Sequence, residues 1–301
     1  MSTNVLVTGA TGRAGTEMVR RLAATSGVRV RAASHYPDRE ADSRADAVDF
    51  VEVAFDDPGT LDSAFAGIDK AVLITPEDVR MVRMTDHLVQ SAERAGVKRL
   101  VRVSFINAGD GLSGPLLKWH KEAEEIVAAS SIPSTFLRPN SYMQNFLTMY
   151  APSIFVRGAF FTPMGCGRIS YIDARDVADA GIEALMADGH EGKGYDLTGP
   201  ASLAHDEIAE ILSREIGQQI SYVDVGEDDA CAVLERRGAS PALVEALCDL
   251  WKAMRHDAFS ATSDGFERLT GRSPRSFDDF VRDHHAELRV SPTARLGDKR
   301  P

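Results

Sequence analysis

The chain has 301 residues, which is enough for one large domain or two interlocked ones, and its 44% hydrophobic content is ordinary for a globular protein. A net charge of −11 argues against a nucleic-acid partner, because phosphate binding needs clustered Lys and Arg. Neither a membrane-length apolar run nor a signal-peptide pattern is present, so we expect a cytoplasmic protein without a membrane partner.

The first predicted elements are a strand, a glycine turn and a helix. Val5–Val7 is the apolar strand, and a helical stripe follows the turn at Met18, Val19 and Leu22. Gly9 takes backbone angles closed to other residues, Gly12 lets the main chain approach a ligand, and Gly15 allows close helix–strand packing. The first helical N–H groups then favour a diphosphate. The spacing Gly-x-x-Gly-x-x-Gly departs from the best-known dinucleotide fingerprint, and a purely structural turn is the alternative.

Strands and helices then alternate along the chain. The predicted strands are Val28–Ala33, Val48–Phe55, Lys70–Ile74, Leu100–Val103 and Thr135–Leu137, and the predicted helices between them are Leu61–Phe65, Met81–Ala95 and Leu117–Ala129. This alternation indicates βαβ units with right-handed crossovers. We therefore predict an α/β fold, a doubly wound parallel sheet of the Rossmann type with a smaller, mostly helical substrate domain.

The sequence changes character after Tyr142. Phe146–Gly167 is rich in aromatic residues, Gly and Pro, and we interpret it as loops around a cleft. One further strand, Gly194–Leu197, is predicted with the helices Arg175–Met186, Asp206–Ile216, Asp228–Arg237, Pro241–His256 and Phe277–His285. We expect a dinucleotide-binding domain over 1–145, rejoined by about 173–198, a substrate-covering part over 146–290 and a frayed tail over 291–301.

The cysteines and histidines give no metal pattern. Cys166, Cys231 and Cys248 are far apart and form no Cys-x-x-Cys pair, which argues against a zinc knuckle or a disulfide framework. His284-His285 is interpreted as an exposed helix face and not as a metal site. We therefore expect no metal site.

Five stretches carry a resemblance to a known family. They are V-T-G-A-T-G-R-A-G at Val7–Gly15, A-G-V-K-R-L-V-R-V-S at Ala95–Ser104, S-I-P-S-T-F-L-R-P-N-S-Y-M-Q-N at Ser131–Asn145, S-Y-I-D-A-R-D-V-A at Ser170–Ala178 and G-H-E-G-K-G-Y-D-L-T-G-P at Gly189–Pro200. In their order and spacing the chain resembles the NmrA-like branch of the atypical short-chain dehydrogenases/reductases, and in particular its triphenylmethane-dye and quinone reductases. The resemblance implies NADPH or NADH as coenzyme and small organic acceptors. Some members are not enzymes and sense the redox state of the coenzyme.

The end of the second strand bears on the choice of coenzyme. NAD-specific sites usually place Asp or Glu there, whereas this chain has Ser34-His35. The missing carboxylate removes repulsion against a 2′-phosphate, which Arg13 and Ser34 are placed to bind. The family often has Arg where His35 stands, and a neutral His attracts phosphate less. We expect NADPH in preference to NADH, with a solvated turn residue as the alternative for Arg13.

Hydride transfer needs alignment and at most one proton donor from the protein. The Tyr-x-x-x-Lys pair of most short-chain dehydrogenases is missing, because no tyrosine stands four residues before Lys118 or Lys121. His120, at the position where the similar reductases also carry His, is predicted to reach the nicotinamide end, with a core histidine as the alternative. Tyr142 is predicted to stack on the acceptor or to donate a proton, with a wall residue as the alternative.

The candidate coenzyme-binding residues lie in the glycine turn and at predicted strand ends. They are Gly9, Thr11, Gly12, Arg13, Ala14, Gly15, Ser34, His35, Phe55, Asp56, Thr75, Pro76, Ser104 and Asn140. Phe55 is interpreted either as stacking on adenine or as core. The predicted function is NAD(P)H-dependent hydride transfer to a conjugated acceptor such as a quinone, dye or enone. The alternatives are a redox-sensing regulator without turnover and a nucleotide-sugar epimerase, which normally needs the missing tyrosine.

Overall fold

A computed structural model describes residues 2–35, 48–108 and 114–289. The chain divides into two compact units, each assembled from separate stretches of sequence. The first unit comprises Met1–Pro139, Ala174–Leu197 and Gly265–Gly271, and the second comprises Asn140–Asp173, Thr198–Asp264 and Arg272–Pro301. The division therefore falls at Pro139 and not after residue 145, and the predicted tail 291–301 lies outside the described residues. In the described part, every helix is too short or too polar to cross a membrane.

The regular elements are named in chain order. They are β1 (Thr3–Val7), α1 (Arg13–Ala23), β2 (Val28–Ser34), β3 (Val48–Glu52), α2 (Pro58–Phe65), β4 (Lys70–Leu73), α3 (Met81–Ala95), β5 (Arg99–Val103), α4 (Pro115–Ala129), β6 (Ser134–Pro139), a π-helix (Phe146–Tyr150), α5 (Ala151–Arg157), β7 (Ala159–Thr162), β8 (Arg168–Ile169), α6 (Ala174–Met186), β9 (Gly194–Leu197), β10 (Leu203–Ala204), α7 (His205–Ile216), β11 (Ser221–Asp224), α8 (Glu227–Arg236), α9 (Pro241–Arg255), α10 (Gly265–Thr270), α11 (Phe277–Asp283) and α12 (His285–Arg289).

A seven-stranded sheet forms the first unit, in the order β3-β2-β1-β4-β5-β6-β9. Every pairing in it is parallel, and the strand order reverses beside β1, where β4 pairs on the other side from β2. Helix α1 packs against α6, whereas α3 packs against α2 and α4. The predicted doubly wound parallel sheet is confirmed, and β9 returns to the sheet beside β6.

Apolar residues of the central strands and of α2, α3 and α4 form the main core of this unit. Leu73 and Leu100 of the sheet meet Phe65, Leu88 and Val127 of the helices in one buried cluster. Burying a side chain of this size contributes about 1.5–3 kcal/mol. This core fixes the positions at which the strands end, where ligands of such sheets bind.

Strand β3 ends three residues before the predicted end at Phe55. The Thr60 hydroxyl lies 3.0 Å from the Ala54 nitrogen and 3.2 Å from its carbonyl oxygen. The backbone groups of Ala54 are therefore bonded to a side chain and not to a neighbouring strand, and the chain leaves the sheet and turns into α2. The alternating pattern of Val48–Phe55 gives no sign that the Thr60 side chain competes with a neighbouring strand for these backbone groups.

The interpretation of Phe146–Gly167 as loops is wrong over most of its length. The segment contains the π-helix, α5 and β7 in succession. Phe146 is fully buried, with its ring centroid 5.6 Å from that of Tyr171 and 5.0 Å from that of Phe277. Phe146 and Phe160 are therefore core of the second unit. Pro152 did not break the helix because it lies in the first turn, where proline is tolerated.

The rest of the second unit is mainly helical, with two short strand pairs. Strand β7 pairs in parallel with β11, and β8 pairs antiparallel with β10. Helices α8 and α9 pack together and are joined by a Cys231–Cys248 disulfide. The expectation of no disulfide is therefore wrong, because packing of the two helices brings together cysteines that are 17 residues apart in the sequence.

Candidate functional site

The site begins with Thr8, which ties the end of β1 to the end of β4. Its hydroxyl donates to the Ile74 carbonyl at 2.9 Å and accepts from the Ile74 nitrogen at 2.8 Å. Its backbone nitrogen donates to the Val72 carbonyl at 3.0 Å. Thr8 is fully buried, so these bonds hold the two neighbouring strand ends in one fixed arrangement.

The glycine turn follows directly after Thr8. Its geometry requires glycine at two of its three glycine positions. Gly9 has φ +59°, the left-handed region, and a Cβ there would lie 3.0 Å from Ile74. A Cβ on Gly15 would lie 2.1 Å from the Gly9 carbonyl oxygen, inside the backbone of the turn. Gly9 therefore permits the turn and Gly15 permits close packing of α1 against it.

Gly12 differs from the other two glycines. Its φ of −78° and ψ of 170° are open to any residue, and a Cβ would lie 3.2 Å from the Gly9 carbonyl oxygen. Gly12 is exposed, as are Thr11 and Arg13 beside it, whereas Ala14 is buried. The turn therefore presents an open stretch of main chain that a side chain at position 12 would cover.

Gly12 is also the N-cap of α1, and no side chain caps this helix. The first turn contains no acidic residue that would neutralise the positive end of the helix dipole. N–H groups of a first helical turn have no partner within the helix. The end of α1 therefore offers donors and positive potential to an anion at the exposed main chain, the arrangement that accepts a diphosphate.

The ends of β2 and β3 lie on one side of this turn. Ser34 is buried and its carbonyl accepts from the Val53 nitrogen, while His35 is exposed. Phe55 is partly buried and packs against the core, in line with the core alternative. Asp56 is ion-paired with Arg80 at 2.8 Å and Arg83 at 2.7 Å.

The end of β4 lies on the other side. Thr75 is half-buried and its hydroxyl accepts a hydrogen bond from Arg102 of β5 at 2.9 Å, while the next residue, Pro76, is exposed. Sequence reasoning missed Arg102, although an arginine inside an apolar strand is itself a signal. Glu77, in the same connection, lies within electrostatic reach of Arg13.

Ser104 follows β5, and His120 projects from α4. Both are buried, and the Ser104 hydroxyl and both His120 ring nitrogens lack hydrogen-bond partners among the residues that the structure describes. The imidazole stacks on Phe105 with a centroid distance of 5.8 Å. Burial, assisted by the charge of Arg102, lowers the pKa of His120 to about 3, so the ring is neutral at physiological pH. His120 is buried as a core histidine would be, but its ring nitrogens have no partner in the described part of the chain, and its role at the nicotinamide end stays a prediction.

Asn140 and Tyr142 belong to the second unit. Asn140 is buried, and its amide donates to Ser170 at 2.8 Å and to the Phe259 carbonyl at 2.9 Å, while its oxygen accepts from the Ser141 nitrogen. These bonds use both hydrogens of the amide, and the predicted coenzyme contact of Asn140 stays a prediction. Tyr142 is half-buried and forms a β-bridge with Ile172.

The geometry thus gathers the glycine turn and the carboxyl ends of β2, β4 and β5 along one edge of the sheet in the first unit, as the parallel pairing requires. A family model described as the NmrA-like family matches residues 1–240. The chain belongs to the NmrA-like family.

Three similar proteins extend this comparison. The NAD(P)H azoreductase of Xenophilus azovorans is 33% identical over 282 residues, covering 94% of this chain and 98% of that protein. The structure of Citrobacter sp. triphenylmethane reductase complexed with NADP(H) has 25% identity and a TM-score of 0.79, covering 93% and 99% of the two chains. The Escherichia coli NADPH-dependent quinone oxidoreductase complexed with NADPH has 26% identity and a TM-score of 0.78, covering 95% and 100%.

Proposed function

We propose that this NmrA-like protein is an NAD(P)H-dependent reductase that passes hydride to a small conjugated acceptor of the quinone or dye class. The observation that carries the proposal is the uncapped N-terminus of α1 behind an exposed Gly12. The relatives named for azo compounds, quinones and triphenylmethane dyes support the acceptor class, and two of them have structures with NADPH or NADP(H).

The residues at the sheet edge fit a dinucleotide. The main chain of Gly12, Arg13 and Ala14 would hold the diphosphate, because backbone N–H groups and the helix dipole favour it. Thr75 would contact the adjoining part of the coenzyme from the neighbouring strand. When bound, the reduced coenzyme supplies the hydride, and the protein supplies alignment and exclusion of water.

The proposed preference for NADPH rests on charge. Ser34-His35 ends β2 without the carboxylate that NAD-specific sites usually place there, which removes that source of repulsion against a 2′-phosphate. Arg13, exposed at the start of α1, is the cation that we place against that phosphate. Arg13→Ala should therefore weaken NADPH more than NADH, and equal losses would remove this assignment.

His120 has a narrower role than a general acid. With its pKa near 3, the ring carries one proton at physiological pH and cannot act as an imidazolium donor. The neutral ring can still donate one hydrogen bond and accept another, and in the described residues it does neither. We propose that His120 orients a polar group of the bound ligands, and that Tyr142 remains the candidate proton donor.

The test is direct. NADPH and NADH are titrated by fluorescence, and loss of reduced-coenzyme absorbance is then followed with quinones, azo dyes, triphenylmethane dyes and enones. Oxidation by at least one acceptor is expected. Tight binding with no oxidation by any acceptor would instead favour a coenzyme-sensing regulator. If His120→Ala turns over as fast as the wild type, His120 contributes only packing.

A further inference from the structure

Arg102 is an unusual residue for a central strand. It lies on β5, between β4 and β6, and only 1% of it is exposed, which makes it the largest fully buried side chain described. A buried charge is costly unless it is paired. An apolar side chain of similar volume would fill the same space without that cost, so the guanidinium calls for an explanation.

The partners of the guanidinium are neutral. Its two terminal nitrogens donate to the Thr75 hydroxyl at 2.9 Å and to the Leu73 carbonyl at 3.2 Å, and its Nε has no partner among the described residues. Glu124, whose charge acts on Arg102 from α4, is held by Arg138 in two bonds of 2.7 and 3.0 Å. Arg102 therefore makes no ion pair within the described part of the chain.

Arg102 nevertheless stays charged. Burial lowers its pKa to about 10, opposed by Glu124, which leaves the guanidinium protonated at neutral pH. A guanidinium can only donate hydrogen bonds. The Thr75 hydroxyl must therefore act as an acceptor toward Arg102, and its own hydrogen must point elsewhere.

The bond from Arg102 orients the Thr75 hydroxyl, with its hydrogen directed away from the guanidinium. The bond from Arg102 is the one hydrogen bond that the Thr75 side chain makes with the described residues, and Thr75 is half-buried at the end of β4. A hydroxyl polarised by a charged donor is also a stronger donor in turn. We propose that Arg102 is a positioning residue that fixes Thr75 as a hydrogen-bond donor to an oxygen atom of the bound coenzyme.

This inference rests on the proposed function, because the acceptor oxygen belongs to the dinucleotide. It adds a donor that the strand order alone does not give: because Arg102 occupies one lone pair of the Thr75 oxygen, the hydroxyl hydrogen is left to donate to the ligand. The contact is present before and during hydride transfer, so it contributes uniform binding. Its loss should raise KM for NADPH and leave kcat at saturating coenzyme within about twofold of the wild type.

A double-mutant cycle tests the coupling. Thr75→Val and Arg102→Met should each raise the Kd for NADPH by about tenfold, the effect of losing one hydrogen bond to a charged or polarised group. The double variant should be no weaker than the weaker single variant, because both substitutions remove the same contact. Thr75→Ser keeps the hydroxyl and should bind NADPH like the wild type.

Arg99→Met is the matched control, since Arg99 lies on the same strand but is paired with Asp188 and Glu191. It should leave the Kd unchanged and combine additively with Thr75→Val. If Arg102→Met does not fold, the cycle is run with Arg102→Lys, which keeps the charge and loses the forked geometry. Additive effects of Thr75 and Arg102 would overturn the inference. Failure of the wild type to bind NADPH at all would overturn the proposed function instead.

Discussion

Replacing Gly12 by alanine tests whether the exposed main chain binds a diphosphate, because the change should weaken coenzyme binding while leaving the stability of the protein nearly unchanged. The backbone of Gly12 is open to any residue, and the new Cβ would lie 3.2 Å from the Gly9 carbonyl oxygen. A shift of a few tenths of an ångström relieves that contact. Gly12→Ala should therefore change the free energy of unfolding by less than about 1 kcal/mol, the scale of Gly→Ala effects at permitted positions.

The same methyl group would stand on the exposed main chain that we assign to the diphosphate. Displacing the phosphate weakens hydrogen bonds to a charged group, each of about 1.5–3 kcal/mol. Losing one or two of them should raise the Kd for NADPH by roughly ten- to a hundredfold or more. Fluorescence titration measures the Kd, and urea unfolding of the same preparation measures the stability.

Gly15→Ala is the contrasting control. Its Cβ would lie 2.1 Å from the Gly9 carbonyl oxygen, and relief requires moving α1 away from the turn. Overpacking of this kind costs about 1–3 kcal/mol and can cost more. We expect this variant to lose stability as well as affinity. A Gly12→Ala protein that is folded and binds NADPH as tightly as the wild type would refute the reasoning.

Three further predictions concern charge, pH and covalent structure. His35→Arg should raise the preference for NADPH over NADH by about tenfold, because guanidinium binds phosphate better than imidazole; Kd values for both coenzymes measure it. Burial lowers the pKa of His120 to about 3 and of His205 to about 4. Both pKa values lie below that of a histidine in the unfolded chain, about 6.5. The free energy of unfolding should therefore decrease as the pH is lowered below about 6.5, by about 2 kcal/mol per histidine at pH 5. Reducing the Cys231–Cys248 disulfide should lower the free energy of unfolding by about 3 kcal/mol, given its 17-residue separation.

Each of these has its own control. An unchanged coenzyme ratio in His35→Arg would place the 2′-phosphate away from β2. Urea unfolding at pH 7 and pH 5 tests the histidines, and His205→Gln should remove about half of the pH dependence. Cys231→Ser should make the stability insensitive to reductant. If the wild type is equally insensitive while thiol counting shows full reduction, the chain-entropy argument fails.

The parallel sheet could be predicted from local sequence patterns alone. Each parallel strand and its crossover helix leaves a short-range signature, as at Lys70–Leu73 and Met81–Ala95, so the doubly wound order followed from the sequence. The glycine turn was equally local. Gly9 and Gly12 precede α1 and Gly15 lies in its first turn. The positive φ at Gly9 and the crowding at Gly15 match the reasons expected for these two glycines.

What failed depended on contacts distant in sequence. The aromatic residues around Phe146 resemble a loop composition until Tyr171 and Phe277 are known to cover them. Likewise no spacing rule links Cys231 to Cys248. The roles of His120 and Tyr142 stay predictions.

The interleaved chain path has a consequence for how the protein can be made. A fragment ending at Pro139 would contain the glycine turn, yet it would leave β6 without β9 and α1 without α6. During synthesis the ribosome must therefore deliver Asn140–Asp173 of the second unit before the first unit can complete its sheet. Because each unit is built from three separate stretches of sequence, a single cut in the chain cannot yield either unit whole.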